Sequence, residues 1–124
     1  MKYLKIFESF ISDKLEEQIE DLFIGITDEL GAGVGIQVVS EYFIDGGPRT
    51  ERLQVKILLP HGYEQSPMDV YYKIKYELQP IHNKIMKDYG LKFSGCSQLK
   101  RRDDPNYYGV MNLIYYKYEV SEEV

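Results

Sequence analysis

The apolar residues of this chain change their spacing twice, in the same sense each time. Leu15, Ile19, Leu22 and Ile26 recur at steps of three or four, whereas Val34, Ile36 and Val38 recur at steps of two. Further on, Ile74, Leu78, Ile81 and Ile85 return to the longer step before Leu91, Phe93, Gly95, Ser97 and Leu99 alternate again. The longer step lays one apolar stripe along a helix, and the shorter gives a strand one distinct face. Each helical stretch is followed by two strand-like stretches, so the predicted order is αββαββ. This is an α+β domain: a four-stranded, mostly antiparallel sheet with two amphipathic helices on one face.

Local signals sharpen the elements. The first stripe extends back through Leu4, Phe7 and Ile11, with Ser12 a suitable N-cap and Gly31 a suitable stop, so a helix is predicted over 13–29. Residues 1–11 are open between helix and strand, and a strand there gives the ferredoxin-like alternative, βαββαβ plus one strand. Val34, Ile36, Val38 and Ser40 share one side of the first strand, and Leu53, Val55, Ile57 and Leu59 one side of the second. Asp45, Gly46, Gly47 and Pro48 supply the turn between them. Ser66, Pro67 and Asp69 combine a hydroxyl cap, a proline at the first helical position and an early carboxylate, so the second helix begins there and runs to Gly90. Pro80 inside it removes a backbone hydrogen bond and is expected to kink it. In the last run, Tyr107 to Val120, apolar residues occur at both parities, which leaves its buried face open. The two hairpin turns begin at Asp45 and Asp103; 103 minus 45, or 58 residues, is the offset of a possible αββ duplication.

At 124 residues the chain is expected to form one domain over 1–124. A single cysteine and no recognisable leader point to a reducing cytoplasm, and no apolar run is long enough for a membrane helix. The net charge of -5 argues against general attraction to nucleic acid. Residues 1–62 carry 6 basic and 11 acidic side chains and residues 63–124 carry 9 of each, so a local basic patch is still open to the second half.

The search for chemistry yields no catalytic, cofactor or metal constellation. His61 and His82 lack partners at ligand spacing, and Gly31, Gly33 and Gly35 follow a helix and enter a strand, the reverse of a phosphate-binding loop. Cys96 alternates onto the solvent side of its strand and has no histidine nearby in sequence. An enzyme is therefore disfavoured. Lys100, Arg101, Arg102, Tyr108 and Tyr116 form one candidate surface, where bases of single-stranded nucleic acid stack on tyrosine and phosphates meet cations. The preferred expectation is a protein interface, with a partner or with a second copy, on a sheet face free of helices: Val39, Phe43, Leu58, Met111 and Tyr115. Binding of a small ligand is a third alternative.

The opening Met1-Lys2-Tyr3-Leu4-Lys5-Ile6-Phe7-Glu8-Ser9-Phe10 resembles the Met-Lys, Phe, Phe openings of proteins encoded by large tailed bacteriophages. The likeness covers about ten of the 124 residues. It implies a phage-encoded accessory or virion-associated protein working in a bacterial host's cytoplasm.

Overall fold

The structure, a computed structural model, describes residues 14–43, 50–100 and 107–118, apart from the side chains of Tyr42, Phe43, Thr50, Lys100, Tyr107, Tyr108 and Tyr118. In chain order the elements are α1 (14–22), α2 (Ile24–Leu30), β1 (Gly35–Phe43), β2 (Thr50–Pro60), α3 (Pro67–Tyr89), β3 (Lys92–Lys100) and β4 (Tyr107–Tyr118). The expected first helix is thus two segments. The chain leaves helical geometry at Phe23 (φ -99°, ψ 0°), where the N–H of Phe23 bonds to Glu20 in a tightened turn at 3.0 Å. Ser12 and residues 1–11 lie outside the described residues.

α3 begins as its sequence dictates. The Ser66 hydroxyl accepts the N–H of Asp69 at 3.2 Å, Pro67 fills the first turn, and Gly90 closes the helix in a left-handed conformation (φ 70°). The helix continues through Pro80 as one element of 23 residues. Its most buried stripe is Val70, Ile74, Leu78, His82 and Ile85, while Tyr71, Ile81 and Tyr89 flank it half-buried.

All strand pairs are antiparallel, in the order β1-β2-β4-β3. Leu53, Val55, Ile57 and Leu59 of β2 stand opposite Tyr115, Leu113, Met111 and Gly109 of β4, and this face packs on Ile19, Phe23, Ile26, Ile74, Leu78 and Ile85 in one core. Helices therefore cover one side of the sheet. Pro67 seats the start of α3 on β4 at Gly109, where a Cβ would come within 2.9 Å of the proline ring, so only glycine fits. Two tyrosines tie helices down by hydroxyl bonds: Tyr63 to the Leu30 carbonyl at 2.9 Å, and Tyr89 to Gln18 at 3.0 Å.

The two hairpins share one register. Val38 pairs with Val55, and Cys96 pairs with Leu113; both members are displaced by 58 residues. In the helices Ile19, Phe23 and Ile26 precede Leu78, His82 and Ile85, which are also buried, by 59. Exchanging the halves leaves the strand order unchanged, so the molecule has the topology of a doubled αββ unit.

One bulge breaks the equivalence. Phe93 faces Tyr115 and Gly95 faces Ile114, so Ser94 is an extra residue in β3. Every side chain after it changes sides. Cys96, expected toward solvent, therefore lies on the helix face and packs against the core, while Gly95, Ser97 and Leu99 turn the other way.

Candidate functional site

Strand register assembles the sheet face that turns away from the helices in four rows. They run Gly35–Leu58–Val110–Leu99, Gln37–Lys56–Asn112–Ser97, Val39–Gln54–Ile114–Gly95 and Glu41–Arg52–Tyr116–Lys92. Leu58, Val110 and Asn112 are buried there, outside the main core, and Leu99 is exposed (40%). Val39, Ile114 and Tyr116 are half-buried.

A chain of hydrogen bonds crosses three strands of this face. Arg52 donates through Nη2 to Oε2 of Glu41, Gln54 donates to Oε1 of the same carboxylate at 2.7 Å, and Asn112 donates to Oε1 of Gln54 at 2.9 Å. Glu41 and then Tyr116, both by hydrogen bonds, raise the Arg52 pKa above its ordinary value. Glu41, Arg52, Gln54 and Asn112 are thereby linked to one another and the Glu41 charge is balanced within the face, while Oδ1 of Asn112 is buried with no hydrogen-bond partner among the described residues.

Val39 and Leu58 lie on this face; against the sequence expectation, Met111 and Tyr115 do not. Both point to the helices and are fully buried in the main core. The reason is β4 itself: a central strand buried on both sides carries apolar residues at both parities, so alternation does not reveal its inner face. Phe43 ends β1, and its side chain is not among those described. Of the proposed nucleic-acid residues, Tyr116 lies on the face beside the neutralised Arg52. The side chains of Lys100 and Tyr108 are not described, and Arg101 and Arg102 lie outside the described residues.

A second polar group sits between α3 and the sheet, and sequence reasoning missed it. Nδ1 of His82 and the hydroxyl of Tyr115 are 2.8 Å apart, and the imidazole stacks on Phe93 with ring centroids 3.9 Å apart and planes 13° off parallel. Tyr115 meets both rings at steeper angles. His82 and Tyr115 occupy, by the displacements above, the places that Phe23 and Ile57 hold in the first half, and Phe93, which precedes the bulge and is displaced by 57, occupies that of Ile36; the three residues of the first half are wholly apolar. Burial lowers the His82 pKa to about 4, so the ring is neutral at pH 7. Burial also pushes the Cys96 thiol up to about 12 and raises the Tyr115 and Tyr71 hydroxyls above their ordinary range. The cluster is neutral and protonated, which suits cohesion and leaves no thiolate nucleophile at neutral pH.

Among the described residues no three His, Cys, Asp or Glu side chains are placed to hold a metal ion, and no helix is long and apolar enough to cross a membrane. Comparison with protein-family models, with curated proteins and with solved structures finds no match to this chain.

Proposed function

We propose that this protein acts by association, docking a second copy through the sheet face turned from its helices, as a phage accessory or virion-associated protein. The observation that supports this reading is the internal pairing of Glu41, Arg52, Gln54 and Asn112. Covering that face takes no unpaired Glu41 carboxylate out of water, and side chains already held in place lose little freedom on binding. Val39, Ile114 and Leu99 are the apolar groups that gain from being covered. The setting comes from the resemblance of the opening residues to phage proteins.

The size of the face sets the strength. The part around Leu58, Val110 and Asn112 is already buried, so the area left to cover lies toward Val39, Ile114 and Leu99. Four strands at about 4.8 Å spacing and about 25 Å of strand length give at most roughly 500 Å² per copy, or about 1,000 Å² in a pair. That is the lower end for a specific interface, so the dimer is expected to be weak and to need concentrations on the order of 100 μM. Light scattering over a concentration series tests it: mass should rise toward a dimer, and Ile114→Arg should return the monomer with its circular dichroism unchanged. A parent protein that stays monomeric up to about millimolar concentration would refute the proposal. So would an Ile114→Arg variant that dimerises as well as the parent.

A further inference from the structure

Among the described residues β1 and β3 are the outer strands of the sheet, and they finish it differently. β3 carries the bulge at Ser94 and a lysine at each end, Lys92 and Lys100, features that discourage another strand from adding on. β1 pairs with β2 over nine residues without a register shift, and its sequence holds no lysine, arginine or proline. Of the two edges, only β1 is straight and compatible with a neighbour.

In an antiparallel ladder, alternate residues direct both backbone groups to the same side. The N–H of Ser40 does not go to β2: it donates to Oε2 of Glu16 on α1 at 2.8 Å, and the Ser40 hydroxyl donates to the same oxygen at 2.9 Å. Ser40 therefore faces the outer edge, and by alternation Ile36 and Val38 do too. A carboxylate from a helix has taken the place that a carbonyl of a further strand would fill.

We propose that the outer edge of β1 is a pairing site for β1 of a second copy, and that Glu16 is the latch that keeps it closed. Antiparallel pairing centred on Val38 sets Ile36 against Ser40 of the second copy, Gln37 against Val39 and Glu41 against Gly35. No two like charges meet. The same pairing needs the Ser40 N–H that Glu16 holds, so latch and second strand exclude one another. The inference does not rest on the face-to-face dimer, but it gives the latch a purpose if that dimer exists. Two different two-fold contacts on one molecule link copies beyond a pair, into a closed tetramer where the two axes meet at right angles and into an open chain where they do not meet.

The test is made in an Ile114→Arg background, so that face pairing contributes to neither arm. Adding Glu16→Ala should strengthen dimerisation, read by light scattering, by about tenfold or more, the ratio expected for losing a hydrogen bond to a charged group. Glu16→Gln, whose amide oxygen still accepts but through neutral and weaker bonds, should dimerise more than the background and less than Glu16→Ala. Ile36→Pro removes an outward N–H without touching the β2 ladder, and added to Glu16→Ala it should restore the monomer. Ser40→Ala, which deletes one of the two bonds and leaves α1 intact, should shift the mass the same way by a smaller factor. Folded Glu16→Ala and Ser40→Ala variants with unaltered mass distributions would overturn the proposal, as would association that survives Ile36→Pro.

Discussion

Acid should unfold this protein partly through one imidazole. His82 is neutral in the fold, with a pKa of about 4 against an ordinary 6.5, and the cause is burial between α3 and the sheet. Between those values the unfolded chain binds a proton at this position that the folded chain refuses. The contribution is therefore intact above pH 6.5, declines as pH falls toward 4, and declines no further below it. A gap of about 2.5 units at 1.36 kcal/mol per unit is about 3 kcal/mol, a large share of the roughly 5–15 kcal/mol that holds a domain folded. Carboxylates titrate over part of the same range, so the measurement needs a reference lacking only this imidazole. His82→Phe with Tyr115→Phe serves, because it removes donor and acceptor together and leaves no orphaned hydroxyl, and because phenylalanine holds the corresponding place at Phe23. Urea unfolding of both proteins at pH 7, 5.5 and 4 should show the parent losing about 3 kcal/mol more than the double variant. Parallel pH dependences would show that the imidazole is not desolvated as described.

Two further predictions follow from packing. Gly109→Ala should cost about 1–3 kcal/mol in chemical unfolding, since the new methyl meets the Pro67 ring at 2.9 Å and that ring is fixed at the start of α3; a neutral result would mean α3 does not sit against β4 there. The Cys96 thiol, pushed from 9.0 to about 12 by burial, should at pH 8 react with an exposed-thiol reagent about three orders of magnitude more slowly in the folded protein than in denaturant. Equal rates in the two states would contradict its packing against the core.

The alternation of helical and strand spacing was legible because helices and hairpins bury one face each, and β1, β2 and α3 follow their apolar patterns closely. Three things were not. The bulge at Ser94 is signalled only by Gly95 inside the strand pattern, which does not say whether a residue is added, and one extra residue sends Cys96 to the opposite side from the one alternation assigns. β4 is covered on both faces, so Met111 and Tyr115 could not be told from their neighbours by parity. Pairings such as His82 with Tyr115, 33 positions apart, or Glu16 with Ser40, 24 apart, depend on how a helix lies across the sheet, which a linear pattern does not encode. The Glu41–Arg52 contact was nearer to hand, since both residues fall on the polar parity of adjoining strands, and only the register of the hairpin was missing.

The shared register of the two hairpins bears on how the molecule completes itself. Either half alone would finish in a bare inner strand, β2 or β4, whose backbone groups have nothing to bond on one side. Each is the template for the other, and together they close what would otherwise be the two stickiest margins of the chain. Docking of one αββ unit on its sibling is thus the step that turns two adhesive fragments into a single domain, and it joins residues far apart along the chain. That junction is the longest-range event in folding, and the slowest part of assembly should lie there rather than within either hairpin.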